Sequence, residues 1–318
     1  MVKTNSLKAW VLAARPKTLT GAMAPVLVGA AFACSALQQA SCSSLLAPCP
    51  SFLLCLLFAI LMQVDANLIN DYFDFRKGTD RADRLGPERA CAQGWVTPRA
   101  MRWAIGIVTT LSAMAGFCIL ATQWQWELLI VGTLCIVFSF LYTTHLSYVG
   151  WGDLLVIVFF GLVPVVGTYY VMTAGGWNVQ VIMAGLAMGL ATDNLLMVNN
   201  YRDRNQDLVS GKRTIVVRII EWQKRLLGTE AGQREGAAIV RDIYLWLGIF
   251  AAIMALSTLF LWPYSSIRWP LMLIYLILHF RAFRQLCELD GRDLNRVLGL
   301  TARNIFLFGL LFAICVFL

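Results

Sequence analysis

Two stretches of carboxylate and amide side chains interrupt apolar sequence. The first contains Asn67, Asn70, Asp71, Asp74 and Asp80, and the second contains Asn199, Asn200, Asp203 and Asp207. A carboxylate at a membrane edge is stable only beside water, a counter-cation or a metal, so such a cluster predicts an ion site. Because each cluster stands at the end of an apolar segment, the sequence predicts one site formed by two parts of a helical bundle.

The spacing within the first stretch indicates a set of ligands on one helix face. Residues 70, 71 and 74 follow residue 67 by three, four and seven positions, which brings all four side chains to the same side of a helix. Clustered carboxylates favour hard cations, and oxygen-only ligands favour Mg²⁺ or Ca²⁺. Mg²⁺ in particular binds one or two carboxylates together with phosphate oxygens of a substrate. The sequence therefore predicts a metal-bound phosphate compound.

Basic residues beside the two acidic clusters support this interpretation. The candidates for direct contact with phosphate oxygens are Arg76, Lys77, Lys212 and Arg213. Arg15 and Lys17, near the N-terminus, are equally consistent with anchoring at lipid headgroups and with facing an anionic ligand. The ligand that fits best is a diphosphate at the cytoplasmic face with an apolar tail among the helices.

An isoprenoid diphosphate would give this site a reaction to catalyse. Metal and basic groups would stabilise the departing diphosphate and lower the barrier to C–O cleavage. The resulting allylic cation would need a dry pocket with aromatic rings, since a desolvated cation–π contact contributes about 2 kcal/mol. Tyr142, in the connection before the fifth apolar segment, is the aromatic candidate for the site.

Composition places the site in a membrane protein. Of the 318 residues, 59% are hydrophobic and 14% are charged, with mean hydropathy +0.68, whereas soluble domains contain about a quarter charged residues. The pattern predicts an all-α protein with nine transmembrane helices in one bundle and one domain over residues 1–318. The predicted segments are 19–38, 51–72, 99–121, 126–144, 153–173, 178–199, 242–262, 268–283 and 302–318. No cleavable signal peptide is expected, because residues 1–18 are polar and basic.

The formal net charge of +8 is explained by membrane orientation better than by nucleic-acid binding. With nine helices, 25 of the 26 Lys and Arg residues fall on one side, Arg268 being the exception. Cytoplasmic loops carry such an excess, so the N-terminus is expected inside and the C-terminus outside. Residues 1–18 form a cytoplasmic amphipathic lead-in, and 74–98 and 201–241 are cytoplasmic loops carrying the acidic motifs. Within the second loop, residues 221–241 are expected to be mobile.

Two sets of residues have no assigned role from the pattern alone. The nine Cys residues are scattered without metal-ligand spacing and are interpreted as small core residues. Only Cys42 and Cys49 share a predicted outer loop and could pair there. Asp65 and Asp193 lie deep in apolar runs, where they could form a structural hydrogen-bonded pair or take part in catalysis.

The two acidic motifs resemble those of the intramembrane aromatic prenyltransferases, the UbiA superfamily. The similarity extends over nearly the whole chain. It is carried by Arg15-Pro-Lys-Thr18, Ala24-Pro-Val26, Asn70 to Gly78, Arg84-Leu-Gly-Pro87, Gly161, Gly167-Thr-Tyr-Tyr170, Asn199 to Asp207, Gly211-Lys-Arg-Thr214 and Leu294-Asn295. The sequence departs from the family pattern where Gly78 replaces the last acid of motif one, with Asp80 following, and again at residues 145–148.

The resemblance implies a specific reaction at the inner membrane of a bacterium. It is transfer of a polyprenyl group from polyprenyl diphosphate to 1,4-dihydroxy-2-naphthoate with loss of CO2, giving demethylmenaquinone. Asp71, Asp74, Asp203 and Asp207 would hold Mg²⁺, Asn70 and Asn199 would support them, and Asp80 is a further candidate ligand. The alternative acceptor is 4-hydroxybenzoate or another phenolic acid, and the alternative from another class is a cation-coupled transporter with acids in two repeats.

Overall fold

The protein folds as a bundle of helices. The computed structural model describes residues 2–39, 49–78, 84–262 and 269–317. The α-helices are α1 (Leu7–Ala14), α2 (Pro16–Gln39), α3 (Cys49–Lys77), α4 (Pro98–Thr122), α5 (Trp126–Leu141), α6 (Gly152–Ile157), α7 (Val163–Met172), α8 (Val179–Val209), α9 (Ile215–Leu227), α10 (Thr229–Leu261), α11 (Met272–Glu288) and α12 (Leu294–Phe317). A first π turn, Tyr142–Leu146, follows α5, and a second, Val158–Leu162, joins α6 to α7.

The predicted class, an all-helical membrane protein, is confirmed. Over the described ranges, eight helical segments are long and apolar enough to cross a membrane. They are Pro16–Gln38, Cys49–Lys77, Pro98–Thr122, Trp126–Leu146, Gly152–Met172, Val179–Val209, Thr229–Leu261 and Gly291–Phe317. The remaining predicted segment, 268–283, overlaps α11, which has 17 residues and continues to Glu288. The count of nine therefore stays a prediction that depends on α11.

The prediction of a loop over residues 201–241 was wrong. The helix α8 continues to Val209, and α9 and α10 occupy nearly all of the rest. Thr214 caps the start of α9, because its hydroxyl accepts a hydrogen bond from the N–H of Val217 at 3.2 Å. Its polar composition is that of an amphipathic helix, with an apolar face that includes buried Ile220.

Close packing holds α9 against α10. A Cβ on Gly236 of α10 would lie 2.8 Å from Cα of Ile220, and one on Gly232 would overlap the backbone at Lys224. Glycine is required at both positions because the two helix backbones approach so closely. Residues 221–241 are consequently an ordered helical pair and not a mobile loop.

The largest apolar core lies between α2, α7, α8, α10, α11 and α12. Phe32, Phe308 and Phe312 are fully buried there, with ring-to-ring contacts in edge-on or tilted geometry. The second π turn meets α8 at Gly161, where an added Cβ would overlap Gly185 and Gly189. This close approach packs the second π turn directly against the backbone of α8.

Candidate active site

Asp71 is a buried carboxylate that attaches the following loop to α3. Its Oδ2 accepts a hydrogen bond from the N–H of Ala90 at 2.8 Å, and its Oδ1 accepts one from the N–H of Cys91 at 2.9 Å. Hydrogen bonds to an ionised acceptor are about twice as strong as neutral ones. Each oxygen keeps a further lone pair, so this carboxylate can fix the loop and still contribute to a metal site.

Asp74 lies one turn further along α3 and is surrounded by cations. Its Oδ2 accepts a hydrogen bond from Nη2 of Arg89 at 3.0 Å, and Arg89 is itself buried in the loop that Asp71 holds. Four other cations interact electrostatically with this carboxylate: Lys212, Arg84, Arg15 and Lys77. One acid among five basic side chains leaves an excess of positive charge, which suits an anionic ligand.

The second acidic cluster is organised by Arg202, which is 2% exposed. Its guanidinium donates to both carboxylate oxygens of Asp203, at 2.7 and 2.6 Å. It also donates to Oδ1 of Asn199 at 2.7 Å and to Oδ1 of Asn295 at 2.8 Å. A planar guanidinium group that donates four hydrogen bonds fixes the positions of its partners. Arg202 therefore connects the end of α8 with the start of α12.

The loop after the first motif contacts this arginine directly. A Cβ on Gly86 would lie 2.7 Å from Nη2 of Arg202, so only a residue without a side chain fits there unless the guanidinium moves. Asn295, which accepts from Arg202, donates through Nδ2 to the carbonyl of Leu85 at 2.8 Å. The two acidic clusters are thus joined through the same loop.

Lys212 lies between the two clusters, beside Asp207 of the second cluster. Nζ of Lys212 is 3.7 Å from Oδ1 of Asp207, whereas the buried Oδ2 of Asp207 has no hydrogen-bond partner. The carboxylates of Asp207 and Asp74 interact electrostatically, and Lys212 interacts with both of them. The ends of α3 and α8 therefore face each other at one end of the bundle.

Lys77, predicted to contact phosphate, is engaged with the protein. Its Nζ donates to the carbonyls of Thr143 at 3.1 Å and Thr144 at 2.8 Å. The same ammonium lies 3.8 Å from the ring centroid of Tyr148, within the range of a cation–π contact. In this arrangement Lys77 ties the end of α3 to the first π turn.

Tyr142 starts the first π turn, which is a geometry common at functional sites. The turn is held by Asn70, whose side-chain oxygen accepts a hydrogen bond from the hydroxyl of Thr143. Four carboxylates interact electrostatically with the phenol: Asp153, Asp193, Asp74 and Asp207. The turn thus places Tyr142 among the acids of both clusters.

Four predicted site residues are less engaged. Lys17, Arg76 and Arg213 are exposed, and none of them has a described ion pair with a carboxylate. Arg15 is partly buried and ends α1 in a left-handed conformation with φ +52°. Asp80 lies outside the described residues, as does Cys42, so the Asp80 ligand and the Cys42–Cys49 pairing both stay predictions.

The sequence model of the UbiA prenyltransferase family matches residues 22–300 of this chain. The chain belongs to the UbiA prenyltransferase family. The resemblance seen in the two acidic motifs is confirmed, and both motifs lie within the matched range. Membership makes the chain a prenyltransferase and removes the alternative of a cation-coupled transporter.

Curated relatives within the family share much of the sequence. The 1,4-dihydroxy-2-naphthoate octaprenyltransferase of Escherichia coli (strain K12) is 33% identical, with 98% of this chain and 96% of the relative covered. The proteins of the same name from Haemophilus influenzae and Mycobacterium tuberculosis are 34% and 36% identical. Each of these two alignments covers 70% of this chain, and 72% and 73% of the relative respectively.

The fold is also similar to that of a solved structure described as digeranylgeranylglyceryl phosphate synthase in membranes. The TM-score between that structure and this chain is 0.61. The match covers 98% of each chain at 16% sequence identity. At this identity the similarity establishes the shared fold only.

The acidic residues fit a divalent metal if substrate oxygens complete its coordination. In the part of the chain that the structure describes, no three His, Cys, Asp or Glu residues converge closely enough to hold an ion by themselves. The donors available are oxygens, and Oδ2 of Asp207 is buried without a partner. Mg²⁺ commonly takes one or two carboxylates together with water and phosphate oxygens, so a UbiA site of this composition can accept it.

Sequence reasoning missed three residues of the site: Arg89, Arg202 and Asp153. Arg202 directly precedes Asp203, and a basic residue inside an acidic motif is the signal that could have marked it. Arg89 contributed only to the excess of positive charge, although it lies in the loop that Asp71 fixes. Asp153 begins an apolar segment after a polar connection, and no pattern there indicated that its side chain would be buried.

The hypothesis that Asp65 and Asp193 form a structural pair was wrong. Asp65 accepts a hydrogen bond from the hydroxyl of Thr109 on α4 at 2.8 Å and is fully buried. Asp193 faces a different neighbour, Asp153, with which it interacts electrostatically. Asp65 therefore helps to join α3 to α4, whereas Asp193 lies beside the candidate active site.

Proposed function

We propose that this UbiA protein transfers a polyprenyl group from polyprenyl diphosphate to 1,4-dihydroxy-2-naphthoate with loss of CO2, giving the quinol form of demethylmenaquinone. The observation that carries the site assignment is the arrangement of Asp74 and Asp207 around Lys212 at one end of an apolar bundle. The acceptor is inferred from the names of the curated relatives. The alignment with one of them covers 96% of that relative's length.

The roles of the residues follow from their positions. Asp74, Asp203 and Asp207 would hold Mg²⁺ together with the diphosphate oxygens, and Asp71 would contribute while fixing the loop. Lys212, which already interacts with both acidic clusters, contacts the diphosphate oxygens. Mg²⁺ supplies charge stabilisation of the departing diphosphate, and the protein supplies the cations, the orientation and the apolar channel for the chain.

Tyr142 and the amide side chains complete the site. Tyr142 lines the space between the clusters, where its ring can stabilise an allylic cation. Asn70 and Asn199 act through their neighbours: Asn70 accepts from Thr143 of the first π turn, and Asn199 accepts from Arg202. Arg15 can reach the diphosphate with little movement because it already interacts with Asp74.

The protein is a multi-pass membrane protein, and we place it in the inner membrane of a bacterium with the N-terminus in the cytoplasm. The support is the distribution of Lys and Arg, 25 of 26 of which fall on one side of a nine-helix topology. This orientation gives the site access to a diphosphate from the cytoplasm.

The test is an assay of purified protein in detergent with a set of polyprenyl diphosphates. We expect CO2 release and a prenylated product with 1,4-dihydroxy-2-naphthoate, and no product with 4-hydroxybenzoate. Product from 4-hydroxybenzoate alone would assign the other acceptor. No product from either, with a family member of known activity as positive control, would contradict the proposed function.

Dependence on a divalent metal is tested separately. We expect EDTA to abolish turnover, because the departing diphosphate would lose the charge stabilisation that the metal supplies, and excess Mg²⁺ to restore it. Thermal unfolding with and without EDTA is the control, since the bundle is held by apolar packing. Full turnover in EDTA would contradict the metal assignment.

A further inference from the structure

A cleft beside the acidic clusters contains buried polar atoms without partners. It has about 200 Å³ of empty space, part of it open to solvent. The residues that line it include Tyr142, Ser147, Asp153, Asn200 and Lys212. Oδ1 of Asp153 and Oδ1 of Asn200 are buried and accept no hydrogen bond from the residues that the structure describes. Since buried acceptors in native proteins are nearly always paired with protein or water, these two oxygens can accept hydrogen bonds from a hydroxyl group of a ligand in the cleft.

We propose that Asp153 is the general base that removes the proton from a ring hydroxyl of the aromatic acceptor. This inference rests on the proposed function, because it takes a hydroxylated aromatic acid as the ligand of the cleft. Asp153 is 6% exposed, lies in the first turn of α6 and lines the cleft with one oxygen unpartnered. The unpartnered oxygen of this carboxylate can accept a proton from a ligand in the cleft.

The surroundings of Asp153 distinguish it from the acids near the diphosphate. The titratable groups that face it are Tyr142 from the first π turn, Asp193 from α8 and Lys212 from the segment after α8. It makes no described ion pair, whereas Asp74 and Asp203 each accept from an arginine. Asp153 is therefore the acid of the cleft whose lone pair is available to a substrate.

The reaction balances with Asp153 as a temporary proton carrier. The hydroxyl proton moves to Asp153, and the electron pair on oxygen makes the adjacent ring carbon, which bears the carboxylate, nucleophilic. The C–O bond to diphosphate breaks, and the electron pair of that bond leaves with the diphosphate. The nucleophilic ring carbon then bonds to the first carbon of the resulting allylic cation. The β-keto carboxylate then loses CO2, the C–C electrons return to the ring oxygen, and Asp153 gives the proton back.

The experiment compares wild type, Asp153→Asn, Asp153→Glu and Asp65→Asn. Asp65 is a matched control because it is a buried aspartate whose hydrogen bond goes to Thr109, away from the cleft. We expect Asp153→Asn to lower kcat by about 10²–10⁴-fold, the usual contribution of a general base. KM for the acceptor should change by less than about threefold, and Asp153→Glu should restore part of kcat, since binding is retained and only proton transfer is lost.

A second acceptor separates catalysis from structure. A dihydroxynaphthoate with an electron-withdrawing ring substituent has a more acidic hydroxyl, so the loss of kcat caused by Asp153→Asn should be smaller with this acceptor. The kcat of Asp65→Asn should stay near wild type with both acceptors. Equal deficits with both acceptors, or turnover of Asp153→Asn within about threefold of wild type, would overturn the assignment of Asp153 alone. Absence of wild-type turnover with either acceptor would overturn the proposed function and this inference with it.

Discussion

At the scale of single residues, the acids of the two motifs have different physical roles. Asp71 accepts two backbone hydrogen bonds, whereas Asp207 has one oxygen without a partner. In Asp71→Asn, an NH2 group would face a backbone N–H, and a buried unsatisfied donor costs about 1–3 kcal/mol. We therefore expect Asp71→Asn to lower the free energy of unfolding by about this amount and to reduce turnover as well. Thermal unfolding in detergent, followed by tryptophan fluorescence, measures the first effect.

Asp207→Asn is the matched comparison on the other motif. It would remove a proposed metal ligand but no hydrogen bond to the backbone, so turnover should be abolished with little change in the unfolding temperature. The same two measurements apply to both variants. An Asp71→Asn protein that unfolds at the wild-type temperature would show that the contacts to Ala90 and Cys91 contribute nothing to stability.

The acids could be predicted from sequence because charges inside apolar runs are conspicuous, but their partners could not. Asp74 is paired with Arg89, fifteen positions away, and Arg202 reaches Asn295, 93 positions away. A spacing rule for one helix contains no information about such contacts, because they depend on how the loop at 84–97 folds back. Lys77 shows the same limit: its predicted phosphate contact stays a prediction, and its two backbone carbonyl partners could not be predicted from its charge.

At the scale of elements, the loop between α3 and α4 is what couples the two motifs. Gly86 is its contact with Arg202, and Gly86→Ala would place a methyl group 2.7 Å from Nη2 of Arg202. The guanidinium is fixed by hydrogen bonds and cannot move without shifting Asp203 or Asn199. Because displacements of about 1 Å in a site can cost about 10²-fold, we expect turnover to fall by roughly 10–100-fold.

Gly132→Ala on α5 is the control for this substitution. Its added Cβ would meet no atom within 4 Å, and alanine favours a helix over glycine by about 1 kcal/mol. Gly132→Ala should therefore keep wild-type turnover and wild-type or greater stability. If Gly86→Ala and Gly132→Ala were equally active in the prenyl-transfer assay, the loop would have no part in positioning Arg202.

The existence of the elements was predictable, but their ends were not. Apolar windows predicted segments ending at residues 72 and 199, whereas α3 ends at Lys77 and α8 at Val209. Both helices continue past the apolar region because their acidic residues find partners in the loop and in Arg202. The helices α9 and α10 were missed over 221–241 because hydropathy detects membrane spans and not an amphipathic helix packed on its neighbour through Gly232 and Gly236.

At the scale of the whole molecule, the number of crossings decides on which side of the membrane the C-terminus lies. The deciding element is α11, whose 17 residues rise about 26 Å at 1.5 Å each. The 3₁₀ turn Trp269–Leu271, three residues long, adds about 6 Å at its N-terminal end. Together they match the roughly 30 Å thickness of the hydrocarbon core, so we expect α11 to cross.

With α11 crossing, the chain passes the membrane nine times and its two ends lie on opposite sides. A fusion of alkaline phosphatase, which is active only outside the cytoplasm, should then be active at the C-terminus and inactive at the N-terminus. A fluorescent protein that fails to mature outside the cytoplasm should give the reverse result. Phosphatase activity at neither end would mean eight crossings, with α11 lying inside the bundle or along the membrane surface. The basic segment 281–303 would then lie on the opposite side of the membrane from the acidic motifs, or α12 would have to follow a different path.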